Sequence, residues 1–435
     1  MNRVTIIGGG LAGCEAALQL ASRNIHVTLI EMRPVVKTPA HRTSLLAELV
    51  CSNSLKSIVP VTSSGLLKAE LKALRCILLE AASCCSVPAG HALAVDRELF
   101  ATEVTSLVEQ SPLIELARRE ETVLPPDDCV IVATGPLTSD SLSSSIAEHF
   151  DGGTLHFYDA ISISVEAETV DESRVFRASR YGKGGDDYLN LPITEAGYSR
   201  LIRFLLEAPK AEKRGFESGQ CFEACLPVEV IASRGPESLR YGPLKPRGLV
   251  DPSTGKEPHA VLQLRQEKRD GSLLGLVGFQ TRLTRPAQKQ LLELLPGLEN
   301  ASIARWGTIH RNTYLDSPRL LDERQMSTRR KGLFFAGQIT GVEGYVESIA
   351  HGLLIALNAA AYLDKKEMPL LPGDTMTGAL QRHLSTIEGD FQPMNANMGL
   401  LPPARGNRRE RKVKKAERAT ASLSSYIAEY KSFTG

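Results

Sequence analysis

The start of the chain alternates between apolar runs and a stretch of small residues. Val4, Ile6 and Ile7 form a β-branched segment, and LAGCEAALQLAS after it has the small residues of a closely packed helix. The run HVTLIE is apolar again and ends on Glu31. This order predicts a strand, a helix and a second strand, which together are typical of a βαβ unit in a parallel sheet.

The hydrophobic pattern changes twice further along the chain. Strand and helix patterns alternate through the first third, and CVIVATGP at 129–136 is another apolar strand. Short strands such as HAVLQLRQE and Gly/Pro-rich turns then indicate an α+β unit. The segment KGLFFAGQITGVEGYVESIAHG at 331–352 predicts a strand, a glycine turn and a small-residue helix that return to the first kind of pattern.

These patterns predict an α/β protein whose sheet domain is discontinuous. We expect a Rossmann-like parallel sheet with flanking helices, interrupted by the α+β insertion and followed by a helical tail. The predicted units are 1–150 for the first part of the sheet domain, 151–300 for the inserted domain, 301–370 for the return segment and 371–435 for the tail.

Glycines occupy the turn between the first strand and its helix. Gly8, Gly10 and Gly13 have the G-x-G-x-x-G spacing that gives a tight turn, main-chain access to a pyrophosphate and close helix–strand packing. The helix N-terminus adds its positive dipole, and Glu31 is placed to accept a hydrogen bond from a ribose hydroxyl. The sequence therefore predicts a dinucleotide site. Its expected contacts here are Gly8, Gly9, Gly10, Leu11, Ala12, Gly13, Glu31, Met32 and Arg33.

Two later segments favour FAD over NAD as the dinucleotide. The strand at 129–136 ends in Ala-Thr-Gly, and LFFAGQITG resembles the late motif with which FAD proteins hold the ribityl chain and pyrophosphate. Because the chain has one G-x-G-x-x-G, a pyridine nucleotide would have to dock transiently against the flavin. The discontinuous domain is therefore expected to bind FAD. Its further contacts are expected at Gly135, Gly337, Gln338, Gly341, Val342, Glu343 and Tyr345.

Charge adds one local feature. The net charge is +1 over 435 residues, so no global field points to a polyanionic partner. The tail differs, because eight Lys/Arg and two Glu lie between Arg405 and Arg418. A basic helix of this kind could follow an RNA backbone, or it could be a solvated surface helix.

The cysteines and the apolar runs indicate a cytoplasmic chain. None of the eight cysteines forms a C-x-x-C pair, which favours reduced thiols and no structural metal site. No run of 18 apolar residues predicts a membrane span, and the first strand begins too early to leave room for a signal peptide.

Short motifs along nearly the whole chain resemble one enzyme family. In order, GGGLAGCEAA, EMRP, TPAH, LVCSNSL, CLPVEV, HRNTY, FFAGQITGVEGYVES and FQPMNANMGLLP are similar to the folate- and FAD-dependent tRNA (uracil-5-)-methyltransferases. The glycine block alone is also similar to the larger GidA-type flavoproteins. The resemblance implies that methylenetetrahydrofolate donates a one-carbon unit, that FAD is carrier and reductant, and that NADPH or NADH reduces it. The expected product is 5-methyluridine in the T-loop of tRNA, with neither DNA nor a membrane as partner.

The resemblance assigns catalysis to two cysteines. Cys51 in LVCSNSL and Cys225 in CLPVEV match the functional pair of the family. A thiolate that adds to uracil C6 makes C5 nucleophilic, and a second group must then remove the C5 proton. Cys225 is expected to be the nucleophile and Cys51 the base or relay beside the flavin, although the sequence permits the reverse. The cysteines expected to pack are Cys14, Cys84, Cys85, Cys129 and Cys221.

Several alternatives stay open at this point. The same chemistry could act on a ribosomal RNA uridine. A small-molecule FAD oxidoreductase would explain the glycine motifs but would leave the basic tail and the segments around Cys51 and Cys225 without a role. A non-enzymatic RNA-binding flavoprotein with structural FAD is the third possibility. Candidate cations near a thiol are Arg234, His310 and Arg311, and candidate phosphate contacts in the insertion are Lys245, Arg247 and Arg265.

Overall fold

A computed structural model describes residues 3–38, 40–152, 154–182, 185–211, 226–386 and 391–431, with main chain alone at 154–160 and 309–312. The strands in these residues are β1 (Arg3–Ile7), β2 (His26–Glu31), β3 (Ser54–Ser57), β4 (Ser86–Val87), β5 (Ala92–Val95), β6 (Ile114–Arg118), β7 (Val130–Val132), β8 (Thr154–Ala160), β9 (Ser162–Glu166), β10 (Phe176–Arg177), β11 (Tyr188–Ile193), β12 (Ala260–Gln266), β13 (Leu273–Gln280), β14 (Ile303–Arg305), β15 (Ile309–Leu315) and β16 (Leu333–Phe335). The helices are α1 (Leu11–Ala21), α2 (Ser63–Ala73), α3 (Ile77–Cys84), α4 (Arg97–Glu109), α5 (Asp140–His149), α6 (Glu195–Glu207), α7 (Val228–Ser233), α8 (Ser238–Tyr241), α9 (Arg285–Glu293), α10 (Ser317–Leu320), α11 (Tyr345–Leu363), α12 (Met376–His383) and α13 (Arg408–Glu429).

A five-stranded parallel sheet carries the first domain. Its order is β16-β7-β1-β2-β6, so the strand from the return segment lies beside strands from the start of the chain. The predicted α/β class and the discontinuous sheet domain are confirmed. Helices α1 and α11 lie so close together that a Cβ at Gly352 would be 2.3 Å from the Ala12 carbonyl oxygen. This close approach explains why both helices are rich in small residues.

The insertion has a sheet and a core of its own. Six antiparallel strands follow the order β10-β11-β12-β13-β9-β14, and helices α6, α7 and α9 contribute to a core that includes Ile163, Leu201, Val228, Leu262 and Leu291. Strand β8 begins the insertion in the sequence and β15 follows it, and the two strands pair with each other in an antiparallel arrangement. This is the predicted α+β insertion. Because β14 pairs with β9, the inserted sheet extends a few residues beyond 300, and the domain boundaries stay predictions.

The C-terminal tail is helical, as predicted. Helix α13 begins at a capping box in which Asn407 and Glu410 satisfy each other's main-chain N–H groups. Its apolar residues Ala416, Ala419 and Leu423 recur at helical spacing and are buried in the core of the first domain. The tail is therefore docked along one face rather than extended into solvent.

Helix α11 is long and apolar enough to cross a membrane, with a mean hydropathy of 1.4. The sequence does not predict a membrane span here, because Glu347, His351 and Asn358 interrupt the apolar run. Within the protein, 83% of the 18-residue apolar stretch of this helix is buried. Its apolar surface is accounted for by packing in the core beside α1.

Candidate active site

A long cleft lies where three strands of the parallel sheet end. Its walls come from residues 7–12 after β1, residues 30–33 at the end of β2 and residues 133–139 after β7, closed by Tyr345 and Ser348 of α11. The space between these walls, including the part that is open to solvent, is about 990 Å³. Ligands of open α/β sheets bind at these carboxyl ends. We call this the cofactor cleft.

The three spaced glycines have different surroundings. Gly8 has a φ of +107°, and a Cβ there would lie 2.6 Å from the Ala133 carbonyl oxygen. A Cβ at Gly13 would lie 1.9 Å from the Gly8 oxygen, so the helix packs directly on the turn. Gly10 has nothing within 4 Å of a Cβ position and lines the cleft. Two of the glycines therefore build the turn, and the third leaves its main chain accessible.

Two helix N-termini meet this cleft without side-chain caps. Helix α1 follows Gly10 and α11 follows Gly344, and neither N-cap residue makes a side-chain hydrogen bond. The first-turn N–H groups of a helix have no partner within it, and the helix dipole makes this end positive. Leu11 and Ala12 of α1 and Tyr345 of α11 line the cleft. These donors fit an anionic dinucleotide such as FAD.

Glu31 stands at the end of β2, where a ribose is expected. One carboxylate oxygen accepts from the Gly9 N–H at 2.9 Å, and the other accepts from the Arg33 N–H and Nε, each at 2.9 Å. Burial would raise the pKa of Glu31, but the Arg33 hydrogen bond and charge outweigh it and hold the pKa below its usual value. A carboxylate has about four acceptor positions, so one stays open. Ribose binding by Glu31 stays a prediction.

The predicted cofactor residues fall into two groups. Those that line the cleft are Gly8, Gly10, Leu11, Ala12, Glu31, Met32, Arg33, Gly135, Gln338 and Tyr345. Those behind its wall are Gly9, Gly13, Gly337, Gly341, Val342 and Glu343. Gly337 donates its N–H to His351 Nδ1 at 2.9 Å, a Cβ at Gly341 would lie 2.6 Å from the Phe391 ring, and Glu343 accepts from Gln338. The second group shapes the turn, and its direct contact with the cofactor stays a prediction.

Cys51 is attached to the cofactor cleft through Tyr345. The Cys51 N–H donates to Tyr345 Oη at 2.7 Å, and the Ser52 N–H donates to the same oxygen at 3.2 Å. Burial, with the neighbouring Cys51, raises the pKa of the Tyr345 phenol, so the hydroxyl keeps its proton at neutral pH. Tyr345, an expected cofactor contact, lines the cleft and its hydroxyl is anchored, so it connects the half-buried Cys51 to the cofactor cleft. The position of Cys51 beside the cofactor stays a prediction.

Arg97 and Glu267, which the sequence analysis does not single out, lie beside the main chain of Cys51. Arg97 Nη2 donates to the Cys51 carbonyl oxygen at 3.4 Å and to Glu267 Oε1 at 2.7 Å. Glu267 Oε2 accepts from Ser164 Oγ at 3.0 Å. Arg97 begins α4 in the first domain and Glu267 follows β12 in the insertion. The pair is buried and joins the two domains next to the predicted catalytic thiol.

The other cysteines divide by exposure. Cys14, Cys85 and Cys129 are buried, and burial raises the pKa of Cys129 to about 12, which suits packing rather than catalysis. Cys84 is exposed, so its expected packing role is wrong. The predicted nucleophile Cys225, like Cys221, lies outside the described residues.

Among the predicted cationic residues, Arg265 is corrected. Its Nε donates to Asn53 Oδ1 at 2.8 Å, which makes it part of the domain junction rather than a phosphate contact. The side chains of His310 and Arg311 lie outside the described part of the chain. Cleft residues that the sequence did not single out include Thr38 and His41, from the TPAH motif, and Ser348. The matched motifs TPAH and GVEGYVES contained this signal.

A family profile and named relatives match this chain over most of its length. A family profile described as glucose inhibited division protein A matches residues 3–367. A protein of Geobacter sulfurreducens named methylenetetrahydrofolate–tRNA-(uracil-5-)-methyltransferase TrmFO is 51% identical over 432 residues, which cover 98% of this chain and 99% of that protein. A protein of the same name from Aquifex aeolicus is 50% identical, covering 98% of this chain and 97% of the relative.

A solved structure shares the fold. The structure of Aquifex aeolicus GidA in its form II crystal superposes with a TM-score of 0.71 at 18% identity, covering 98% of this chain and 73% of that one. At this identity the likeness concerns the fold alone. It agrees with the discontinuous sheet domain and its insertion.

Proposed function

The chain belongs to the glucose inhibited division protein A family, and from that premise we propose that it methylates C5 of a T-loop uridine in tRNA, with methylenetetrahydrofolate as one-carbon donor. The nearly full-length relatives at 51% and 50% identity carry that activity in their names. The structural observation that carries the proposal is the bond from the Cys51 main chain to Tyr345, which joins the predicted catalytic segment to the cofactor cleft.

The chain's own groups hold and shield the cofactor. Main-chain N–H groups at the starts of α1 and α11 would hold the diphosphate, and the Glu31 carboxylate would hold the ribose. Tyr345 forms part of the wall and, with its proton retained, would keep negative charge away from the flavin ring. When bound, FAD supplies redox chemistry and carries the one-carbon unit, with NADPH or NADH as the electron source.

The two cysteines divide the work on the uracil. We assign C6 addition to Cys225, whose thiolate makes C5 nucleophilic, and removal of the C5 proton or relay of the methylene to Cys51. C5 bonds to the one-carbon unit, whose bond to its carrier breaks, and the C5 proton is then removed. A hydride that reduced FAD would supply completes the methyl group, and the thiolate leaves C6. The Tyr345 hydrogen bonds fix the Cys51 main chain, so its thiol needs little reorganisation during the reaction.

Helix α13 supports RNA as the substrate. Its N-terminal part exposes Arg408, Arg409 and Arg411, and no described ion pair involves them. Cations at the positive end of a helix oppose its dipole, which makes this position unfavourable for folding alone. Lys415 and Arg418, further along, instead donate to main-chain oxygens of the segment below. We propose that the exposed arginines bind tRNA phosphates, and that the enzyme works in the cytoplasm without a membrane or DNA partner.

A methyl-transfer assay tests this function. Purified FAD-bound protein is incubated with methylenetetrahydrofolate, NADPH and an unmodified tRNA transcript, without S-adenosylmethionine. Formation of 5-methyluridine in the T-loop is the expected result. Product on ribosomal RNA alone would replace the acceptor, and NADPH oxidation without any RNA product would favour a small-molecule oxidoreductase.

A further inference from the structure

A second cleft lies between the two domains, on the far side of the Cys51 segment from the cofactor. Its walls come from residues 42–49 and 97–101 of the first domain and from residues 166–168, 268–273 and 304–305 at the insertion, around an empty volume of about 1,270 Å³. We call this the interdomain cleft. Glu48 lines both clefts, so the segment that leads to Cys51 forms the partition between them.

Arg97, on the wall of the interdomain cleft, has unused donors. It is only 8% exposed, and its Nη2 serves Glu267 and the Cys51 carbonyl. Its Nε and Nη1 are buried, and neither has a hydrogen-bond partner within the described residues. Leaving donors of a buried charged group unpaired costs free energy. Both nitrogens are closed to solvent in this conformation, so acceptor oxygens of a ligand in this cleft would remove that cost once the side chain shifts to meet them.

Two further arginines line the cleft from opposite domains. Arg42 donates to the Ala304 carbonyl oxygen at 3.4 Å, and Arg305 donates to the Val50 carbonyl oxygen at 3.3 Å. Each of these bonds crosses the domain boundary and uses one terminal nitrogen of the guanidinium. The remaining N–H groups of both side chains are then available for a ligand, because a guanidinium has five donors.

The carboxylates on the cleft walls do not cancel these three arginines. Glu98 pairs with Lys268 at 3.0 Å. Glu48 accepts from Arg33 at 3.3 Å and from the main-chain N–H groups of Arg42 and Thr43. The other two wall carboxylates, Glu166 and Glu168, are exposed and therefore screened by solvent.

We propose that the interdomain cleft binds the carboxylate or phosphate group of a cosubstrate, with Arg42, Arg97 and Arg305 as its donors. This inference rests on the proposed function, whose cosubstrates carry such groups: glutamate carboxylates on the folate and phosphates on the pyridine nucleotide. Guanidinium groups bind both kinds of oxyanion through charge-assisted hydrogen bonds. Since Arg97 also holds the Cys51 carbonyl, the occupied cleft would fix the Cys51 segment when a cosubstrate is present.

Equilibrium binding to the oxidised FAD-bound protein tests the inference without requiring turnover. Dissociation constants for tetrahydrofolate and for NADP⁺, which cannot reduce the flavin, are measured from flavin difference spectra in the wild type and in Arg42→Ala, Arg305→Ala and Arg97→Lys. The last variant keeps the charge and loses the planar donors. Arg203→Ala, an exposed arginine on α6 away from the cleft, is the control.

The expected result is a rise of about tenfold in one of the two dissociation constants in all three cleft variants, with no change in the control. If the dissociation constant for tetrahydrofolate rises, the variants must also lose the tighter binding of the triglutamate form relative to the monoglutamate form. If the dissociation constant for NADP⁺ rises, the discrimination against NAD⁺ changes with it. Unchanged constants for both ligands in Arg42→Ala and Arg305→Ala would overturn the inference, as would a rise confined to tRNA binding.

The two proposals fail in distinguishable ways. A wild-type protein that binds both cosubstrates but makes no 5-methyluridine contradicts the proposed function and leaves the cleft measurement valid. A wild-type protein that makes 5-methyluridine, with cleft variants that bind like the wild type, contradicts the cleft inference alone. A wild-type protein that binds neither ligand contradicts both.

Discussion

The two clefts on either side of the Cys51 segment are built from different materials. The cofactor cleft is made of main chain: glycines, two uncapped helix N-termini and the ends of parallel strands. The interdomain cleft is made of long charged side chains from five separate segments. One is rigid because its turn leaves no room for a Cβ at Gly13. The other depends on a buried ion pair between domains, Arg97–Glu267.

This difference decides how each cleft fails. A main-chain site is lost when a new side-chain atom collides with its turn. A side-chain site is lost when one partner of a buried ion pair is removed, since the other charge is left unpaired in the protein interior.

Removing Glu267 should have the largest effect on stability. In Glu267→Leu the buried Arg97 loses its 2.7 Å partner, and we expect the free energy of unfolding to fall by about 4 kcal/mol. Urea unfolding of the FAD-bound protein measures this. Glu98→Gln is the matched control in the same cleft, because its exposed pair with Lys268 should be worth less than about 1 kcal/mol. Equal losses in both variants would show that the ion pair does not hold the domains together.

A methyl group at Gly13 should break the cofactor cleft. The new Cβ would lie 1.9 Å from the Gly8 oxygen. We therefore expect the free energy of unfolding to fall by about 3 kcal/mol and the protein to lose its bound flavin. At Gly10 the same methyl group has nothing within 4 Å. Gly10→Ala should therefore stay within about 1 kcal/mol of the wild type but bind FAD at least tenfold more weakly. The ratio of flavin absorbance to protein concentration, together with urea unfolding, distinguishes Gly13→Ala from Gly10→Ala. A Gly13→Ala protein that keeps its full flavin content would refute the steric explanation.

His351 links the cofactor cleft to pH. Burial lowers its pKa from 6.5 to about 3, and the neutral ring accepts the Gly337 N–H on Nδ1. The unfolded chain takes up a proton below pH 6.5 and the folded one does not. This stabilisation is therefore complete above pH 6.5 and is lost progressively down to about pH 3.

By pH 5 the loss at His351 should be about 2 kcal/mol. His351→Gln should be less stable than the wild type at pH 7. At pH 5 the difference between their free energies of unfolding should be smaller by about 2 kcal/mol. Urea unfolding at both pH values measures this difference. His91→Gln, at an exposed histidine, is the control. A gap that is the same at both pH values would mean that the His351 ring is not kept neutral.

The smallest effect is expected on the tail, where charges are exposed. Arg408→Gln with Arg409→Gln should reduce the salt dependence of tRNA binding by about 1–2 units of the log–log slope, without changing flavin content. Arg200→Gln with Arg203→Gln, on the exposed face of α6, is the matched control. Filter binding over a range of salt concentrations measures both, and equal slopes would remove the tail from the RNA surface.

The same contrast explains what could be predicted from the sequence. The glycine spacing, the apolar strands and the order of units were readable because each depends on residues close in sequence, and the resemblance added Cys51. The pair Arg97–Glu267 could not be predicted in this way, since its two residues lie 170 positions apart in the sequence. Cys84 was assigned to packing from its neighbours, but it ends a helix at the surface. Long-range charge pairs and local exposure depend on tertiary packing, which periodicity does not report.

The central claim is that Cys51 and the cofactor cleft form one active site, and methyl transfer by Cys51→Ala tests it most directly. The variant should purify with FAD and be reduced by NADPH like the wild type, because the Tyr345 contacts use the Cys51 main chain. Its rate of 5-methyluridine formation should fall at least about 100-fold, while Cys84→Ala, at an exposed thiol, should keep the full rate. A Cys51→Ala enzyme that methylates tRNA at the wild-type rate would contradict the account.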